Sequence, residues 1–453
     1  MRFVMFFVNF SWQKYFKNIF RLQKRLFKIG FFNDIKKCLM FQRLILRSNS
    51  ARILSIRYVT QISMDKKFAG IDGKVSLSFN DRFELNEYLR CNFNNWQPQS
   101  LKKVSFIEKN GIIKSLKLST IADRAWQYLI LFSIEPVHEA TFNICNFGFR
   151  RSRFIHELQR VLILNLEKQS LGFQKRILIV NFKGISNFLN KNLLVKNIVA
   201  PRGIKIGIFK SLTLGLSLFF DSSNQNVFNL SSFLLNVALG GVDNIHYSLR
   251  FGYNILFILK PLDNEKLILK KLESFFINSG MQGISYSVFF SSTLNGFDFL
   301  GWYFKVFKNG DFICVPSNNN YQNFLKRIKL ILNNSNYGAT VKSAKIFPLT
   351  KDWKMYHRFC NLTASRFSLF FLKKRAFKVF NQESKQDSYS TKRLINKCFY
   401  ELNPNNKNMA DFGIMKSPFY GHLTFWVNSF YFNPLSSLNY RSIFFCIHCG
   451  MRF

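Results

Sequence analysis

Apolar positions along the chain follow two periods. Near the N-terminus they recur every three or four residues, so that Trp12, Phe16, Ile19, Leu22 and Leu26 share one face of a helix. Lys14, Lys17, Arg21, Lys24 and Lys28 lie opposite. Between about 100 and 300, short apolar runs alternate with helical spacing, which predicts an α+β domain. The run 177–182 reads as a buried strand, and 249–259 reads as two strands about a turn at 252–254. From 318 to 400 the helical period returns, with Tyr321, Phe324, Leu325, Ile328 and Leu332 inward and Lys326, Arg327 and Lys329 outward. Residues 403–408, with Pro404 among them, read as a linker.

Composition narrows the function classes. With 453 residues, 48% of them hydrophobic and 17% aromatic, the chain has material for several cores and is no disordered tail. Lys and Arg number 65 against 24 Asp and Glu, a net charge of +41. Such an excess predicts a polyanionic partner, either nucleic acid or an anionic membrane surface. A membrane span is not expected, because the most apolar stretch, 206–220, is broken by Lys210 and falls short of the ~20 residues a helix needs. Eight scattered Cys make no disulfide framework and suit a reducing compartment. The 56 Phe, with abundant Asn, Lys and Ile and few Ala, Gly and Pro, are residues of A/T-rich codons and point to an organelle genome. Residues 1–64 carry 13 basic residues and one acid, Asp34, a composition that would also suit a cleaved presequence.

Several blocks resemble the group II intron reverse transcriptase/maturase family. Arg57-Tyr58-Val59-Thr60-Gln61 and Ala69-Gly70-Ile71-Asp72-Gly73 are similar to its N-terminal fingers signature, and Trp96-Gln97-Pro98 to the block after it. Leu118-Ser119-Thr120-Ile121-Ala122-Asp123-Arg124-Ala125-Trp126-Gln127, continued by Glu135-Pro136, resembles a further fingers block. Asn146-Phe147-Gly148-Phe149-Arg150-Arg151-Ser152-Arg153 is similar to the Tyr-Gly-Phe-Arg-Pro-Gly-Arg block. Leu230-Ser231-Ser232-Phe233-Leu234-Leu235-Asn236 resembles a palm block, and Gly296-Phe297-Asp298-Phe299-Leu300-Gly301 the approach to the thumb. Trp353, Tyr356 and His357 resemble part of the maturase domain, and Leu22-Gln23-Lys24-Arg25 the first helix, which argues for a retained N-terminus. The resemblance implies a right-hand polymerase architecture within the α+β class. It comprises a basic N-terminal extension (1–65), fingers and palm (66–300), a helical thumb/maturase domain (301–402) and a truncated HNH-endonuclease remnant (403–453).

Departures from the family pattern fall on its chemistry. Templated polymerisation is two-metal phosphoryl transfer and needs carboxylates to hold the ions. Where the family has one Asp on a palm strand, this chain has Asn181; where the family has the two Asp of a Tyr-Ala-Asp-Asp turn, it has Tyr253 and Asn254. The family's Gly-Thr-Pro-Gln-Gly-Gly block is replaced by Ser223-Asn224-Gln225-Asn226-Val227-Phe228. The stretch 416–426 resembles the lead into an HNH domain, and Cys446 and Cys449 supply only half of a zinc knuckle, so neither DNA cleavage nor a resident cofactor is expected. The resemblance then implies a splicing cofactor that binds intron RNA of group II (or group III) with an inactive reverse transcriptase, in a plastid or, alternatively, a mitochondrion. RNA contacts are expected at Arg150 and Arg153, at Lys326, Arg327 and Lys329, at Lys373, Lys374 and Arg375, and, as stacking or core aromatics beside a cation, at Trp353, Tyr356 and Arg358. A general organellar RNA-binding factor, a residual reverse transcriptase and a decaying reading frame stand as alternatives.

Overall fold

Helix α1 (Trp12–Phe31) buries Ile19, Gln23, Leu26 and Gly30 and leaves Lys14, Lys17, Arg21, Lys24, Arg25 and Lys28 in solvent. Phe16 departs from the expected inward face. Tyr15 takes the place one turn before Ile19, and Phe16, 45% exposed, stands at the edge of the stripe under the Arg57 guanidinium. The computed structural model describes residues 12–63, 68–107, 113–151, 153–183, 190–216, 229–281, 283–362, 369–384 and 387–399.

Helix α2 (Ile35–Arg47) starts at an Asp34 cap, and α3 (Asn49–Arg57) runs into a π-turn at Tyr58–Ile62. Helix α4 (Phe79–Asn92) opens with a Ser78/Asp81 capping box. An antiparallel hairpin follows, β1 (Lys102–Ile107) and β2 (Ile113–Leu118), and then the buried helix α5 (Ile121–Glu139). Around α5 the N-terminal helices share one core with α7 (Lys191–Asn197), α8 (Arg202–Thr213) and α9 (Leu230–Ala238). Gln23 donates to the Phe132 carbonyl at 3.0 Å and Gln42 to that of Val199 at 2.7 Å. The expected boundary at 65/66 therefore does not separate two cores, because α1 to α3 bury their apolar faces on later helices.

Helix α6 (Ile155–Leu166) leads to a four-stranded antiparallel sheet of order β4-β5-β3-β6, made of β3 (Arg176–Lys183), β4 (Ser248–Phe251), β5 (Asn254–Leu259) and β6 (Ser285–Ser292). Successive strand residues point to opposite faces. Ile177, Leu256 and Ile258 pack against Leu158 and Leu162 of α6, while Leu178, Val180, Ile255 and Phe257 pack against α9 and α10 (Glu265–Asn278). A sheet covered on both faces explains the unbroken apolar runs of β3 and β5. The predicted strand and hairpin are both present, the turn being at Gly252 and Tyr253.

A three-stranded sheet of β7 (Phe297–Phe299), β8 (Trp302–Val306) and β9 (Phe312–Pro316) closes the α6 side. The expected boundary at 300/301 falls in its first turn; the helical unit begins at the Ser317 cap. That unit is α11 (Asn318–Leu332), α12 (Ala339–Tyr356), α13 (Phe370–Ser384) and α14 (Ser388–Cys398) around Phe324, Ile328, Ile346, Phe380 and Ile395. The chain is thus of mixed α+β class. Among the described residues, no helix is long and apolar enough to cross a membrane.

Candidate functional site

The antiparallel register of β3 and β5 sets Asn181 opposite Asn254, and Tyr253 occupies the turn between β4 and β5. The three positions singled out in the sequence therefore meet at one end of the central sheet. The Phe182 amide donates to the Tyr253 carbonyl at 3.1 Å. Gly252 takes φ of +61°, and a Cβ there would lie 2.6 Å from the Phe149 ring. A Cβ on Gly148 would lie 2.1 Å from the Gly252 nitrogen. Phe149 itself has φ of +55°, a left-handed conformation that a bulky side chain adopts only under constraint. Its ring meets Tyr253 edge-on at 6.3 Å. Burial pushes the Tyr253 phenol well above its ordinary value. The turn thus presents two amides and a neutral phenol.

The carboxylates Asp243 and Asp263 are engaged elsewhere, Asp263 at the Arg176 end of the sheet, opposite the turn. Arg250, 1% exposed, holds Asp243 through Nε at 3.0 Å and Nη2 at 3.0 Å, and its Nη1 reaches Asn236 at 3.4 Å. Asn236 donates to the Gly148 carbonyl at 2.9 Å, tying the hairpin to the loop that carries Phe149. Asp263 accepts from the Lys260 amide at 2.6 Å and lies 3.1 Å from His246.

Five of the side chains named above as RNA contacts have partners within the packed structure. The Arg150 guanidinium pairs with Glu139 at 2.7 Å and donates to the Asn143 carbonyl, with its side chain 2% exposed. Arg153 pairs with Glu157 at 3.0 Å, both side chains under 10% exposed. In a low-dielectric interior such a cation must be matched by an acid, and here the acids lie on α5 and α6. Burial raises Glu157 against the pull of Arg153. It raises Glu135 to about 8, against the pull of Arg151 at 3.4 Å and with a push from Glu139. Trp353 is buried and stacks on Phe324 at 4.6 Å. Tyr356 stacks on Trp302 at 5.0 Å and donates to the Leu300 carbonyl. Arg358 is half-buried with its guanidinium 4.5 Å over Phe359.

The other cations face outward. Lys326, Arg327 and Lys329 are exposed on α11; Lys374 and Arg375 are exposed on α13, with Lys373 half-buried. Arg375 donates to Asn333 at 2.9 Å, which brings the two clusters onto neighbouring helices. The cationic face of α1 is a second such surface. The sequence reading passed over Phe370 and Phe371, which are 62% and 76% exposed beside the second cluster. The signal was available: both fall outside the inward positions of α13, Leu372, Ala376 and Phe380. Cys446 and Cys449, the stretch 416–426, the linker 403–408 and the block 223–228 lie outside the described residues.

Residues 8–89 match the N-terminal domain of reverse transcriptase. Over 99% of its length the chain is 46% identical to "Maturase-like protein 1" of Euglena gracilis, covering 98% of that protein. It is 44% identical to "Maturase-like protein 1" of Euglena longa, over 98% of this chain and 97% of the relative. Likeness of that degree from end to end, with a reverse-transcriptase N-terminal domain at the start, makes the chain a member of the euglenoid maturase-like protein family.

Proposed function

We propose that the protein is an intron-RNA-binding maturase of an organelle, most simply a plastid, that assists splicing of a group II or group III intron and has no polymerase activity. In this reading the hairpin β1–β2 and its flanking helices are fingers, the four-stranded sheet is the palm, and α11 to α14 are the thumb and maturase domain. The observation that carries it is the meeting of Asn181, Tyr253 and Asn254 at one end of the central sheet. Two Mg²⁺ ions about 4 Å apart repel strongly, and anionic oxygens must offset that repulsion. Two amides and a neutral phenol supply none, and Asp243 is neutralised by Arg250. Exposed cations on α1, α11 and α13 supply the other half of the reading, since they can neutralise phosphates and release counterions. The intron RNA would perform its own transesterifications, with the protein holding the RNA fold.

The test is splicing of organellar intron transcripts at Mg²⁺ too low for self-splicing. Purified protein is expected to accelerate splicing of at least one intron and to bind it more tightly than a structured RNA of equal length. Equal binding to both, with no acceleration of any intron, overturns the reading. Crosslinking in the organelle separates a one-intron maturase from a general processing factor, because only the latter recovers unrelated transcripts.

A further inference from the structure

We infer that the Phe370 and Phe371 corner of α13 is a stacking platform for unpaired bases of RNA, an inference that rests on the RNA-binding reading above. Leu369, Leu372, Ala376 and Phe380 already form the inward stripe of this helix. Phe370 and Phe371 are thus not displaced core residues. They project into solvent at 62% and 76% exposure, edge to face, with ring centroids 5.7 Å apart and planes at 78°. Single exposed apolar residues are ordinary on protein surfaces. Two adjacent rings at one end of a cationic stripe are a different arrangement.

Lys374, Arg375 and Lys378 complete the exposed face. At 1.5 Å per residue, Arg375 lies about 6 Å along the axis from Phe371, and Lys378 about 10 Å. Glu383, near the far end of the helix, is bound to the buried Lys342. Among the described residues of this helix, the face therefore combines π-surface with positive charge and carries no carboxylate beside the rings. An acidic protein groove would match the charge but leave the rings without a specific partner. An unpaired nucleotide uses both features, stacking its base on a ring while its phosphates meet the next turn of cations. Duplex RNA keeps its bases stacked internally and cannot use the rings.

The experiment uses the full chain and two short single-stranded RNA oligonucleotides of equal length, one with bases throughout and one abasic at its centre. The paired substitutions Phe370→Ala and Phe371→Ala are expected to weaken binding of the base-bearing strand at least about fivefold. The abasic strand should bind as before, with an unchanged salt slope. Trp at both positions should restore affinity, and its fluorescence should be quenched by the base-bearing strand alone. Equal weakening on both strands, no weakening, or full rescue by Leu at both positions overturns the stacking platform while leaving RNA binding in place. A wild-type chain that binds neither strand overturns both readings. Circular dichroism checks that each variant is folded.

Discussion

At the scale of single residues, what decides a side chain's role here is whether it is buried. Asn181, Tyr253 and Asn254 were legible in the sequence through the resemblance, because they stand where the family has its Asp residues, while the strand register is what sets Asn181 opposite Asn254. Arg150 and Arg153 were not, because nothing local distinguishes an arginine facing RNA from one facing Glu139 or Glu157. Primer extension on an RNA template with Mg²⁺ or Mn²⁺ should give no incorporation above a mock preparation. Asp at 181, 253 and 254 together should not readily restore it, since the turn would still be clamped by Phe149 and Gly148 and the sequence at 223–228 would still depart from the family's block. Glu135 makes a prediction in pH. Its folded-state value of about 8 lies above the ordinary 4.5, so the folded chain holds the proton more tightly than the unfolded chain. That contribution is fully present below about 4.5 and is lost as pH rises through about 8. Urea midpoints for Glu135→Gln should therefore exceed those of the wild type at pH 9 and match them near pH 5. Burial acts oppositely on His138 and His156, lowered to about 4, and on His357, lowered to about 3. Their stabilisation is present above the ordinary 6.5 and is lost on acidification toward pH 4. If the stability profile of the Gln variant kept the wild-type slope between pH 6 and 9, Glu135 would not be the group responsible.

At the scale of elements, period was a sound guide and edges were not. The spacing that predicted helices over 12–26 and 318–332 and strands over 177–182 and 249–259 comes from faces buried on a core, and the core is there. Phe16 was misplaced because a helix of 3.6 residues per turn shifts its stripe by a fraction of a residue each turn, and an edge position falls on either side of it. The boundaries expected at 65/66 and 300/301 follow composition and resemblance, whereas packing runs across both: α1 to α3 share a core with α5, and β7 pairs across 300/301 with β8. The loop of Gly148 and Phe149 acts on the hairpin as a clamp, since the Gly252 nitrogen sits where a Gly148 Cβ would be, 2.1 Å away. Gly148→Ala must separate two backbones, and we expect it to lower stability by about 3 kcal/mol, at the upper end of ordinary overpacking. A chemical denaturation midpoint within error of the wild type would show that the loop gives way instead. Arg250→Met tests the layer beneath. Leaving Asp243 buried without its partner should cost about 3–5 kcal/mol, whereas the double replacement with Asp243→Asn should recover part of it.

At the scale of the whole molecule, a charge of +41 is distributed over faces that the fold leaves open, and that distribution, more than any single residue, sets what the protein can bind. Acids are few, and several of them, Glu135, Glu139, Glu157 and Asp243, are buried against arginines. Each of these acids is matched by one arginine, so the pairs leave the net charge unchanged and the excess of cations stands on the surface. Residues 318–400 carry 17 basic residues and three acids, and of those acids Glu383 is paired with the buried Lys342. Lys326, Arg327 and Lys329 on one helix and Lys373, Lys374 and Arg375 on its neighbour then form one surface joined at Asn333. Replacing all six by Gln should leave the circular dichroism spectrum unchanged, because none of the six belongs to the helical core. If about half of them meet phosphate, the slope of log affinity against log salt should become shallower by roughly two to three units, at ~0.7–0.9 per contact. Intron affinity at moderate salt should fall at least about tenfold, with uniform loss across RNA sequences because phosphate contacts carry no base information. An unchanged slope would move the binding surface to the other large cationic face, that of Lys14, Lys17, Arg21, Lys24, Arg25 and Lys28 on α1. The same titration on a six-Gln variant of α1 would then show the missing two to three units.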